Sequence, residues 1–236
     1  MPLDGRSMPS QVDAPVERMR AFALGALSAS SSVFYWISDE LEMADVQLSG
    51  SSCRTFHAYQ RDMKRFDPLN VARLVRSRRR VSFLKQDYTL APEAEYDRYR
   101  GYLARSGIVD VLDFVFWDGD IAFAGFGVIK NPGDPPFGPQ TPELAFAMHD
   151  YLEFNLSAHP RLARQRLERR LAARFGLTRR EIEIAELVRQ GLTNQDLGEE
   201  LGIGLGTVKT HLARIFVKLG IENRASLSAR LSQIGA

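Results

Sequence analysis

LTRREIEIAELVRQGLTNQDLGEELGIGLGTVKTHLARIFVKLG, residues 177–220, holds three short amphipathic segments in a row, each with its own start and stop signals. Thr178 and Glu181 stand at capping-box spacing, so a helix is predicted to begin near Arg179. Ile182, Ala185, Leu187 and Val188 give it an apolar stripe, and Gln190-Gly191 ends it. Thr193 caps a second helix over 194–201, which has only Leu197 and Leu201 to bury and stops at Gly202. After the turn Ile203-Gly204, a third helix is predicted over 205–219.

In that third helix Val208, Leu212, Ile215 and Leu219 fall in one narrow arc at about 100° per residue and must face the other two. The opposite side shows Gly206, Thr210 and Ala213, flanked by Lys209, Thr207 and Arg214. A small, polar and cationic face suits a groove lined by phosphates. Two short helices joined by a glycine-containing turn, the second basic on its outside, make a helix-turn-helix. The same pattern also describes a three-helix corner with a solvated face.

The residues themselves resemble the LuxR/FixJ (GerE-type) DNA-binding domain of bacterial transcription regulators. Leu177-Thr178-x-Arg180-Glu181, Gly191-Leu192-Thr193-Asn194, Leu197 with Leu201-Gly202-Ile203, Thr207-Val208-Lys209-x-His211 and Lys218-Leu219-Gly220 occur in that family's order and spacing. The resemblance covers about a quarter of the chain. It implies that Lys209 and Thr210 reach base edges or nearby phosphates and that Thr207 meets the backbone. It also implies that the Thr193-Asn194 helix start meets phosphate through its N–H groups, with Arg214 and Lys218 completing the DNA-binding set. Gly204 departs from the usual Ser or Thr cap, and Arg214 from a common Asn. The implied partner is double-stranded DNA with an inverted-repeat operator, bound by a homodimer, with RNA polymerase as a further partner.

Composition agrees. The 236 residues are long enough for two domains, and 44% hydrophobic content supports a core in each. A single cysteine, Cys53, excludes an internal disulfide, as expected of a cytoplasmic protein. No apolar run approaches the ~20 residues of a membrane span, and residues 1–13 read as a disordered lead without a signal-peptide core. The net charge of +2 is uneven: −4 over residues 1–160, +4 over 161–173 and +2 over 174–236. The acidic front should avoid DNA while the rest is drawn to it. Four histidines, none at i,i+3 or i,i+4 spacing, give no metal signature, and no cofactor is implied.

Ahead of this domain the chain reads as helix 15–27, strands 33–37 and 43–48, helix 56–66, a helix from Asp67-Pro68 to about Ser77, strand 81–84 and helix 93–105. Val109 to Trp117 and Ile121 to Lys130, around Asp118-Gly119, form the clearest hairpin. A helix from Thr141 to about Leu156 closes the series. This order describes an α+β domain over residues 14–159, an antiparallel sheet flanked by helices. An Arg-rich linker helix follows over 160–175, then an all-α domain over 176–236.

The front domain is similar to the PAS/GAF-like sensory domain of acyl-homoserine-lactone receptors. Phe56, Tyr59 and Asp67-Pro68 follow those receptors' Trp-x-x-x-Tyr…Asp-Pro pattern, with Phe in place of Trp and the Tyr-to-Asp spacing one residue short. The resemblance implies a small apolar or amphipathic ligand, with Tyr35, Phe56, Tyr59, Asp67 and Trp117 as its candidate contacts. Trp36, Phe114, Phe116, Phe123 and Phe126 are candidates for a cavity wall or for plain core. Asp67 either bonds a ligand or caps the next helix. Asp39, Glu40 and Asp45 do not form the acidic cluster of a phosphorylated receiver domain. Cys53 with His57 lacks an orienting third group, so no catalytic residue is assigned and the chain is not read as an enzyme. The rival is a DNA-binding regulator whose front domain is a ligand-independent interaction and dimerisation module. Leu227, Leu231 and Ile234 line one side of a last helix that, in the resembled family, pairs across a dimer; the other reading is that they close the small domain's own core.

Overall fold

The structure, a computed structural model, describes residues 13–50 and 52–235. The predicted lead at residues 1–12 and the side chain of Cys53 lie outside the described residues. The chain forms two compact units, Met1–Ser157 and Ala158–Ala236, dividing two residues ahead of the predicted break.

The front unit is built on a five-stranded antiparallel sheet in the order β2-β1-β5-β4-β3. Its strands are β1 (Ser31–Ile37), β2 (Met43–Ser49), β3 (Val81–Phe83), β4 (Asp110–Asp118) and β5 (Ile121–Lys130). All seven residues of β1 are buried, as expected of a central strand covered on both faces. The β4–β5 hairpin closes through Gly119 at φ +61, a conformation open to glycine without a Cβ penalty.

On one face lie α1 (Ala14–Ala26) and α6 (Thr141–Ser157). Asp13 accepts a hydrogen bond from Val16 N at 3.4 Å to cap α1. Trp36, Phe114, Phe116, Phe123 and Phe126 pack here against one another, with His149 of α6 stacked 5.3 Å from Phe116. These five aromatics are plain core. His149 is held by Nε2 at 2.8 Å from the Val115 carbonyl.

On the other face lie α2 (Ser52–Ala58), α3 (Val71–Arg76), α4 (Leu84–Asp87) and α5 (Glu93–Arg105). The chain after α2 departs from the predicted regular helix: a π turn spans Tyr59–Met63 and a 3₁₀ turn Lys64–Phe66. The next helix starts at Val71 rather than at Asp67. Pro68 keeps Asp67 extended at φ −70, ψ 120, and Asn70 supplies the cap by accepting from Arg73 N at 3.0 Å. Helix α4 and the 3₁₀ turn Tyr88–Leu90 were not predicted.

The second unit comprises α7 (Pro160–Phe175), α8 (Arg179–Arg189), α9 (Asn194–Leu201), α10 (Leu205–Leu219) and α11 (Arg224–Gly235). The predicted box of Thr178 with Glu181 forms, and Thr193, predicted as a cap, makes a second box with Asp196. Gly202 takes the left-handed turn at φ 63 between α9 and α10. Val208, Leu212, Ile215 and Leu219 are buried as predicted. In α8 Ile184, absent from the predicted stripe, is as fully buried as the predicted Ala185, while Ile182 and Leu187 lie at the edge.

The Arg-rich helix α7 packs Leu167 and Leu171 into the core of this unit. Leu227 and Leu231 are 0% and 1% exposed within the single chain and take part in the unit's own core. Ile234 is half-buried against that same core. Among the described residues, no helix is long and apolar enough to cross a membrane.

Candidate nucleic-acid interface and front-unit pocket

Helix α10 presents Thr207, Lys209, Thr210, Ala213 and Arg214 to solvent. Its buried stripe is satisfied by α8 and α9, so the outward side is left for other contacts. Lys209 and Arg214 make no ion pair with a described carboxylate, which leaves both charges uncompensated by the protein. Thr210 Oγ1 donates to the Gly206 carbonyl at 2.9 Å and keeps its lone pairs free. Gly204 offers no side chain to cap the helix.

The rest of the predicted set behaves differently. Lys218 is turned inward: its Nζ lies 2.6 Å from Glu181 Oε2 and 2.8 Å from the Gly176 carbonyl. Glu181 is 2% exposed, and bonds from Lys218 and Thr178 hold its carboxyl below the usual range against the opposing effect of burial. Lys218 is thus engaged by Glu181 and the Gly176 carbonyl while staying 32% exposed. Thr193 is exposed, but its hydroxyl is committed to Asp196, donating to Oδ2 at 2.8 Å. Asn194 Oδ1 accepts from Arg224 at 3.1 Å. Arg224, which also bonds the Leu192 carbonyl, brings a cation to this helix start that sequence reasoning did not single out.

In the front unit, a cavity of about 70 Å³ opens between the sheet and the helices of its α5 side. Tyr35, Phe56, Tyr59 and Asp67 all line it, so the structure brings four of the five predicted ligand contacts together. Asp67 anchors the site. Its Oδ2 accepts from the Tyr59 hydroxyl at 2.8 Å and its Oδ1 from Leu69 N at 2.8 Å. Burial still pushes its carboxyl up to about 6, outweighing the bonds from Leu69, Tyr59 and Tyr99.

Trp117 is not part of this wall. Its indole N–H donates to the Arg79 carbonyl at 3.0 Å, and the Arg78 guanidinium lies 5.0 Å from its ring centre. Trp117 stays on the same side of the sheet, half-buried against the core there.

Among the wall residues that sequence reasoning missed are Tyr99 and Tyr102 on α5, and Asp113 on β4. Asp113 is buried, and burial first and the Asp67 charge second push its carboxyl well above the ordinary range. Two glycines of β5 make the room. A Cβ on Gly125 would collide with the Tyr35 ring, and one on Gly127 would stand 3.0 Å from an Asp113 oxygen. The legible signals were a carboxylate inside the apolar run VLDFVFW and the Gly-Phe-Gly of the strand paired with it. A wider surface groove edged by Arg65, Phe66 and Arg98 gathers no buried polar group.

Comparison with known proteins places these features. Residues 176–230 match the family described as bacterial regulatory proteins, luxR family. The chain is 25% identical over 227 residues to the monoamine regulon transcriptional regulator of Klebsiella aerogenes, covering 94% of this chain and 92% of that protein. It is 50% identical over 48 residues to the transcriptional regulatory protein LiaR of Bacillus subtilis, covering 20% of this chain and 23% of that one. Among solved structures it is similar to Escherichia coli SdiA, with TM-score 0.46 and 13% identity over 96% of this chain and 92% of that one. It is also similar to SdiA in complex with octanoyl-rac-glycerol, with TM-score 0.44 and 12% identity over 95% and 88% of the two chains. The C-terminal unit carries a LuxR-family helix-turn-helix domain.

Proposed function

We propose that this protein is a sequence-specific DNA-binding transcription regulator whose front unit senses a small molecule. The DNA-binding half is supported by the exposed Lys209–Arg214 side of α10 on a LuxR-family domain. The sensing half rests on one observation, the cavity in which two buried carboxyls and four tyrosines converge. An interaction module with a filled core has no use for such a cavity, since buried polar groups without partners cost stability. The full-length relative from Klebsiella aerogenes is described as a regulator of a monoamine regulon, which agrees with a small-molecule input.

The regulator acts in the cytoplasm as a homodimer on an inverted-repeat operator, with RNA polymerase as a downstream partner. With Leu227 and Leu231 consumed internally, the face offered for pairing is on the front unit. Phe22, Tyr151 and Phe154 are 50%, 57% and 76% exposed there, and the Phe22 and Tyr151 rings lie 5.6 Å apart. Ligand binding changes operator affinity by as much as its preference for one arrangement of the protein over another.

The test is operator affinity of ligand-stripped and ligand-loaded protein, with mass spectrometry of the extract to identify what co-purifies. A change in affinity supports the reading, and equal affinities in the two states overturn the sensing half.

A further inference from the structure

The polar balance of the front-unit cavity is one-sided. Asp67 and Asp113 both line it, and among the described residues no Lys, Arg or His side chain does. Arg73, whose charge is felt at Asp67, is paired with Glu95 and donates to the Asp67 backbone carbonyl at 2.8 Å. Asp113 is 8% exposed and makes no hydrogen bond with a described residue. Valine at that position would make residues 111–117 of β4 apolar throughout. A buried carboxyl with neither cation nor donor is costly, and no described residue of the fold uses it.

A second observation in the same cavity also points outward from the protein. The Tyr35 hydroxyl is buried, lines the cavity and has no hydrogen-bond partner. Gly125 leaves the space that its ring occupies. Around the two acids the walls are aromatic: Phe56 stacks on Tyr59 at 6.1 Å, and Tyr99 lies 6.5 Å from Tyr59 and 6.0 Å from Tyr102. Ring faces attract cations, most strongly where water is excluded. Carboxyls and ring faces together are the complement of an ammonium group on a small apolar body. A neutral amide donor would satisfy Asp67 and leave Asp113 unanswered.

We infer that the ligand of this cavity is a small primary amine, bound as its ammonium between Asp67 and Asp113 with the rings of Tyr35, Tyr59 and Tyr99 around its body. The inference rests on the sensing role of the front unit and names the chemistry of its input. The cavity of about 70 Å³ is several times the ~10–15 Å³ that one water needs, which fits a compact amine better than a long acyl chain. Burial holds both carboxyls toward their protonated forms in the empty site, and an ammonium supplies the counter-charge that lets one ionise.

The experiment is titration calorimetry on the full chain with primary amines from propylamine to 2-phenylethylamine, each matched with the alcohol of the same skeleton. At least one amine should saturate at one per chain and bind on the order of 10- to 100-fold tighter than its alcohol. Asp113→Asn should remove most of that preference. Alcohols that bind as tightly as amines, an Asp113→Asn chain with undiminished amine preference, or no binding by any amine would each overturn the assignment. The amine–alcohol comparison needs no variant, so a poorly folding Asp113→Asn chain does not remove the test. Operator affinity with the bound amine separates the two readings: an amine that binds without changing it keeps this assignment and defeats the sensing role.

Discussion

Asp113 on β4 lies directly opposite Gly127 on β5, and a Cβ on that glycine would stand 3.0 Å from the carboxyl oxygen. Two strands on, Tyr35 of β1 is registered with Gly125 in the same way. The cavity floor is thus made by side chains that reach across a strand carrying none at those positions.

Gly125→Ala should therefore be the more damaging of the two small changes. Its new methyl meets a ring fixed in the sheet, a conflict expected to cost about 1–3 kcal/mol and to abolish ligand binding. Gly127→Ala should reduce binding with a smaller loss of stability. Chemical denaturation of both variants checks the ranking, and equal costs would mean that Tyr35 moves freely.

The acid at position 67 makes stability depend on pH. Its carboxyl titrates at about 6 in the folded chain against an ordinary 3.8, so the native state holds a proton that the unfolded chain has lost. Its contribution to stability falls as pH rises through that interval, by up to roughly 1.4 kcal/mol for each unit between the two values. Relative to Asp67→Asn, the native chain should be more stable at about pH 5 than at about pH 7.5. Denaturation of the two proteins at both pH values measures this, and a pH-independent difference would show that the carboxyl is not shifted.

The two lysines near α10 should separate cleanly. Lys209→Ala should weaken operator binding by ~1–3 kcal/mol with stability unchanged. Lys218→Met strands the buried Glu181 carboxylate and should lower stability by about 1–3 kcal/mol, with operator affinity of the folded fraction nearly intact. Anisotropy titrations and thermal melts on both variants distinguish the roles.

Dimerisation should follow the front unit. Phe154→Arg should shift sedimentation toward the monomer without loss of fold, whereas Leu227→Ala should cost about 2–5 kcal/mol of stability as a core cavity. A dimer unmoved by Phe154→Arg would place the interface elsewhere.

The second unit was legible nearly residue by residue because its signals are local. Capping residues, a period of 3.6 and glycines at helix ends need no knowledge of distant chain. What escaped was ownership: the stripe Leu227, Leu231 says that a face is buried, not which surface buries it. The front unit shows the same limit more strongly. The hairpin around Gly119 was plain, but the cavity draws on β1, β4, β5, the π turn and α5. Strand alternation places Trp117 on the face of Asp113 but does not say how far along the strand the cavity reaches, and its indole lies at the Arg79 carbonyl instead. Asp67 was found through its neighbours in sequence; Asp113 becomes meaningful only once Gly127 is seen beside it.

Gly204 leaves the start of α10 without a side-chain cap, so the first amides of that helix await an acceptor from outside the protein. A backbone phosphate would serve as the missing cap. DNA would then finish the fold of the element that reads it. Hydrogen exchange at Leu205 and Gly206 should slow on operator binding more than elsewhere in α10, making the helix start a built-in reporter of engagement.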